Sequence, residues 1–168
     1  MAKAAPIPGL DSDTRFGDAA AAAVEVRAGE VFAHSENVLD MSDIERVHDM
    51  RVATRRLRAA LEVFATCFPE KEHRRVLKDV KALADALGER RDPDVAIEEL
   101  TKVAKKLPKA DAAGVASLVA EHRIEQEGGN EWLAAALERA RDTGLEERLA
   151  QLAASARPVR AESDEAAG

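Results

Sequence analysis

A single cysteine, Cys67, stands in the 168 residues, so neither an internal disulfide nor a cysteine-based zinc cluster can form. Aromatic residues make up 3%, with no tyrosine and one tryptophan. That scarcity argues against a β-sandwich or barrel, which draws on aromatic and β-branched side chains. No apolar run approaches the roughly 20 residues of a membrane span. The opening MAKAAPIPGL has none of the apolar stretch of a secretory signal, so the expected location is the cytoplasm. What is abundant instead is alanine, 35 residues, together with 34% charged residues. This is the composition of closely packed helices.

Net charge is −7, yet the charges are segregated. Between Glu45 and Arg91 there are 12 Lys and Arg against 8 Asp and Glu, a local excess of +4. The remainder carries 13 against 24, or −11, and the two sum to −7. Five arginines fall between Arg46 and Arg58. A basic field inside an acidic chain steers an anion to one place.

The expected fold is all-α, an antiparallel bundle of six to seven helices over residues 13–156. Residues 1–12 and 157–168 read as a flexible lead and tail. Helix one is expected from Asp13 to Asp40. Helix two starts at Ser42, where Ser42-x-x-Glu45 has the form of a capping box, and continues to Phe68. Pro69 opens helix three, which stops at Gly88. Asp92-Pro93 then begins helix four, which runs to Lys106 before Pro108. Shorter helices follow at 111–127, 130–142 and 145–156, separated by Gly128-Gly129 and Gly144, with Asn130 as an N-cap.

Helix two is the most informative segment. Val47, Met50, Thr54, Leu57, Leu61, Phe64 and Phe68 recur every three or four residues and form a core seam. On a wheel with Val47 at zero, that seam centres near about 310°. Arg58, Arg51, Arg55 and His48 fall at about 20°, 40°, 80° and 100°. They form a stripe beside the seam, looking into an interhelical groove. A short turn at Pro69 makes helices two and three antiparallel, so Lys78 and Lys81 come level with Arg58 and Arg55. The Arg90-Arg91 corner comes level with His48. Such a ladder suits a ligand bearing many phosphates or carboxylates, because arginine grips two oxygens at once. An adjacent anion would favour the charged form of a histidine in the same groove.

Val47-His48-Asp49-Met50-Arg51-Val52-Ala53-Thr54-Arg55-Arg56-Leu57-Arg58, followed by Leu87-Gly88-x-x-Arg91-Asp92-x-Asp94-Val95, resembles the signature of the CHAD family, the conserved histidine α-helical domain. The resemblance implies a non-catalytic helical protein, needing no cofactor, that binds inorganic polyphosphate in a basic channel. It also implies an association with polyphosphate granules. Carried over by position, the binding residues are His48, Arg51, Arg55, Arg58, Lys78, Lys81, Arg91 and, on helix five, Arg123; Arg90 joins them at the corner. Arg56 matches the motif but points elsewhere on the wheel, and Asp92 is expected to cap helix four. Family members have two helical bundles facing each other across the channel. Here there is length for one and part of a second, so either a shortened half suffices or a homodimer completes the channel.

Three other readings compete. Glu45-x-x-His48 and Glu70-x-x-His73 have the spacing of a carboxylate-bridged metal site, but they lie at opposite ends of the hairpin, about 30 Å apart, so no metal centre is expected. His48 could serve a histidine phosphotransfer module, yet it lacks small neighbours that admit a partner. Nucleic-acid binding is opposed by overall acidity and by the lack of stacking aromatics.

Overall fold

The computed structural model describes residues 3–156, and within them the chain is all-helical. Five α-helices follow in order: α1 (Phe16–Ala33), α2 (Glu45–Val63), α3 (Glu70–Ala104), α4 (Lys109–Asp142) and α5 (Leu145–Ala154). A single 3-10 turn, Ala65–Cys67, links α2 to α3. The expected C-terminal tail lies outside the described residues. The lead does not hang free: the Ala5 amide donates to Glu30 and the Ala5 carbonyl accepts from Arg27, tying it to α1.

Five helices stand where six to seven were expected, because two presumed breaks are helical. Gly88 and Pro93 both lie inside α3, and Gly128-Gly129 inside α4. Asp92 and Asn130 are therefore interior residues and cap nothing. Pro93 withholds the amide that Glu89 O would normally receive, a loss that usually ends a helix. Here a tertiary contact outweighs that cost. Arg90 is fully buried and pairs with Asp94 one turn on, while its Nε donates to Asn130 of α4 (3.1 Å). Gln126 of α4 donates to the same Asp94 carboxylate. Gly129 is glycine because the helices nearly touch: a Cβ there would lie 3.0 Å from Glu89 O and Arg90 Cα. What looked like a helix break in the sequence is a packing requirement.

The capping box is also absent. α2 begins at Glu45, Ser42 turns back onto Asp40, and Asp43 accepts the Glu45 amide instead (3.3 Å).

The seam of α2 is buried as its period predicts, with Val47, Met50, Thr54, Leu57 and Leu61 at 1% exposure or less. Thr54 returns its hydroxyl to Met50 O (2.8 Å), so its polar atom costs nothing in the core. α1 packs on α2 and α5, α2 on the first half of α3, and α4 closes against α3. Val24, Val31, Val80, Leu87, Leu133 and Leu149 complete the core. The buried residues of α3 end at Asp94 and those of α4 begin at Gly129, so residues 95–128 form a hairpin arm extending beyond the core.

Candidate anion-binding site

Burial of the α2 seam fixes where the neighbouring stripe points. Arg51, Arg55 and Arg58 are exposed, one to each helical turn, and His48 is half-buried at the start of the row. Among the described residues Arg51 and Arg55 enter no hydrogen bond or ion pair, and both are exposed, so their guanidinium donors face water. Arg58 spends only its Nε, on Glu62 one turn along (3.0 Å). Arg56, as its wheel angle predicts, belongs elsewhere. Burial alone would raise the Glu30 carboxyl of α1, but the Ala5 amide, Arg27 and the nearby charge of Arg56 hold it below the ordinary carboxylate range.

Across the groove, Lys81 of α3 approaches the same Glu62 oxygen (3.5 Å). Lys81 therefore faces α2. The contact it makes is with Glu62, nearer the turn than the register that set it beside Arg55. Glu62 is thus a carboxylate wedged between two cations of different helices. The Arg58 hydrogen bond, then the charges of Arg58 and Lys81, hold it below the usual carboxylate range. All three side chains remain more than 40% exposed, so the bridge is wet and weak.

Lys78 is exposed one turn nearer the hairpin, where it joins residues the sequence reading passed over. Lys71, Arg74, Arg75 and Lys78, with Glu70, line an open depression of about 370 Å³ on the first turns of α3. The signal was available: positions 71, 74, 75 and 78 have the spacing of one helix face. Arg74 and Arg75 pair in cis with Glu70 and Glu72, on side chains more than half exposed.

At the other end, Arg91 is nearly buried. Its Nη2 lies 3.8 Å from Glu45 at the start of α2, and its Nη1 3.8 Å from Asp94. Glu45 in turn clusters with His48 and Asp49, their ligand atoms within 4.8 Å of one another. Arg91 therefore lies at the His48 end of the row, nearly enclosed and paired with Glu45 and Asp94, whereas Arg90 lies away from it. Arg90 has no solvent exposure and is committed to Asp94 and Asn130, which corrects its expected place in the groove. The physical reason is its position on α3, which faces α4 instead of α2. Arg123 is exposed on the arm, lining a groove with Thr101 and Val119. His73 is structural: Nε2 meets Leu61 O (2.7 Å) and the ring stacks on Phe68, so no metal site joins it to His48.

Comparisons with known proteins bear on the family and the fold. The CHAD domain model matches residues 22–168, most of the chain. The protein belongs to the CHAD domain family. Among solved structures, PptA from Streptomyces chartreusis is similar in fold, with a TM-score of 0.69 at 17% identity. The match covers 88% of this CHAD chain and 53% of PptA, so the chain spans about half of that protein's length. Comparison with curated proteins finds no match. No helix among the described residues is long and apolar enough to cross a membrane.

Proposed function

We propose that this CHAD domain binds inorganic polyphosphate along the cation row of α2 and α3, as a ligand and not as a substrate. The row comprises His48, Arg51, Arg55, Arg58, Lys81 and Lys78, with Arg91 at one end and Lys71, Arg74 and Arg75 prolonging it at the other. The observation that carries the reading is the exposed, unpaired state of Arg51 and Arg55 beside the weakly bridged Arg58–Glu62–Lys81 group. Cations recurring at each helical turn, about 5.4 Å apart, match a linear polyanion better than a compact phosphate ester. Guanidinium and ammonium groups offer charge-assisted hydrogen bonds, and the proposed chemistry is binding alone.

The test is a calorimetric titration with orthophosphate and with polyphosphates of graded length at several salt concentrations. The expected result is affinity that rises with chain length and falls with salt, as counterions are released. Tight binding of orthophosphate, or affinity independent of chain length, overturns the reading. Competition with DNA and RNA in the same cell checks selectivity, and polyphosphate is expected to win.

A further inference from the structure

Among the described residues, the hairpin arm of residues 95–128 meets the rest of the chain near its base, where Gln126 donates to Asp94 and a shallow pocket is shared with Ile44. None of its 34 residues is buried, although α4 alone runs about 30 Å from Lys109 to Gly128. Five of the ten large apolar side chains that the described residues leave exposed lie on it: Val95, Val103, Leu107, Leu118 and Ile124. An apolar groove of about 340 Å³ runs between its two helices, lined by Thr101, Ala104, Ala112, Ala116, Val119 and Ala120.

Charge is sorted along the arm. Lys105 and Lys109 stand at the tip, and Glu127 and Glu131 at the base, and none of the four enters an ion pair among the described residues. Such a surface is complementary to one like itself running the opposite way. We propose that the arm is an interface between two copies of this chain, with α4 of one copy antiparallel to α4 of the other. The row Lys109, Ala113, Ala116, Ala120, Arg123, Glu127 has the alternating four and three spacing of a coiled-coil seam, and every member is exposed. A two-fold axis level with residue 118, whose own side chain lies on the opposite face of the helix, sets Lys109 against the partner's Glu127, each nine residues or about 13 Å along the helix from the axis. The same axis sets Arg123 over the partner's Ala113, where its stem covers the methyl group, and Ala116 against the partner's Ala120. Parallel packing would instead place lysine on lysine and glutamate on glutamate. The small side chains at the centre let the two helix axes approach closely. Arg123 is thereby assigned to the interface and not to the anion row.

The proposal concerns the arm alone and holds whether or not polyphosphate is the ligand; its test is run without polyanion. Light scattering and sedimentation of the full chain are expected to give twice the monomer mass in a concentration-dependent equilibrium. Lys105→Glu with Lys109→Glu, and separately Glu127→Lys with Glu131→Lys, are each expected to give monomer with unchanged helical circular dichroism. An equimolar mixture of the two variants restores both contacts and is expected to return a one-to-one heterodimer. A wild-type chain that stays monomeric overturns the proposal, as does a dimer indifferent to either charge reversal. A mixture that fails to reassociate overturns the antiparallel arrangement.

Discussion

Two groups of arginines within one charged stretch do opposite work. Arg51, Arg55 and Arg58 flank a buried seam and keep their donors in water, whereas Arg90, a residue of the same type on the next helix, is entirely enclosed. The difference is the partner each position meets. The α2 stripe borders a groove whose far wall carries Lys81, bridged to the stripe by Glu62 of α2 itself, an arrangement with cations to spare. Arg90 meets Asp94 and Asn130, Gln126 donates to the same Asp94, and the charge of Arg90 is consumed in joining α3 to α4. A charged side chain is available to a ligand only when its neighbours leave it unsatisfied.

The sharpest way to break this contrast is to remove one residue from each group. Arg90→Ala leaves the buried Asp94 without its counter-charge and is expected to cost about 3–5 kcal/mol in urea or thermal unfolding. Arg55→Ala is expected to shift stability by less than about 0.5 kcal/mol. Equal losses would erase the distinction.

A smaller effect probes the same joint. Gly129→Ala drives a methyl group against the backbone of Glu89 and Arg90, and is expected to cost about 1–3 kcal/mol. Gly128→Ala, whose new Cβ meets nothing within 4 Å, is expected to be neutral or mildly stabilising.

The smallest effect sharpens the exposed side. Glu62→Gln frees Arg58 and Lys81 and is expected to tighten polyphosphate binding a few-fold at neutral pH, measured by titration. The carboxyl of Glu62 is held below its ordinary value, so it stays charged through the neutral and mildly acid range. Its ion pairs stabilise the fold above the unfolded-state value, and that contribution fades as pH falls through the lower folded-state value. Over the same acid window, wild-type binding is expected to gain on the variant until the two coincide.

The exposed row was legible in the sequence because a seam of period 3.6 fixes the direction of every residue beside it. Val47 to Leu61 gave the buried face, and Arg51, Arg55 and Arg58 followed. Lys81 needed the packing of α3 on α2, which no single-helix pattern contains. Arg90 was misplaced because arginine ordinarily reads as exposed, and only the long-range contact with Asn130, 40 residues away, makes its burial affordable. The same contact explains the missed continuity of α3 and α4. Gly88, Pro93 and Gly128-Gly129 are local signals for stopping, while the force that carries the helices through them comes from elsewhere in the chain. Loop chemistry at Ser42 misled for a simpler reason, since Asp40 and Asp43 compete for the same amides.

The central claim is that solvent-facing guanidinium groups on α2 form the binding row. The most direct measurement compares polyphosphate affinity of the wild type with that of the Arg55→Ala, Arg58→Ala double variant at fixed salt, alongside its circular dichroism. The account predicts a loss of roughly ten- to a hundredfold with helical content unchanged, and a shallower dependence on salt. Undiminished affinity in a folded double variant would contradict it.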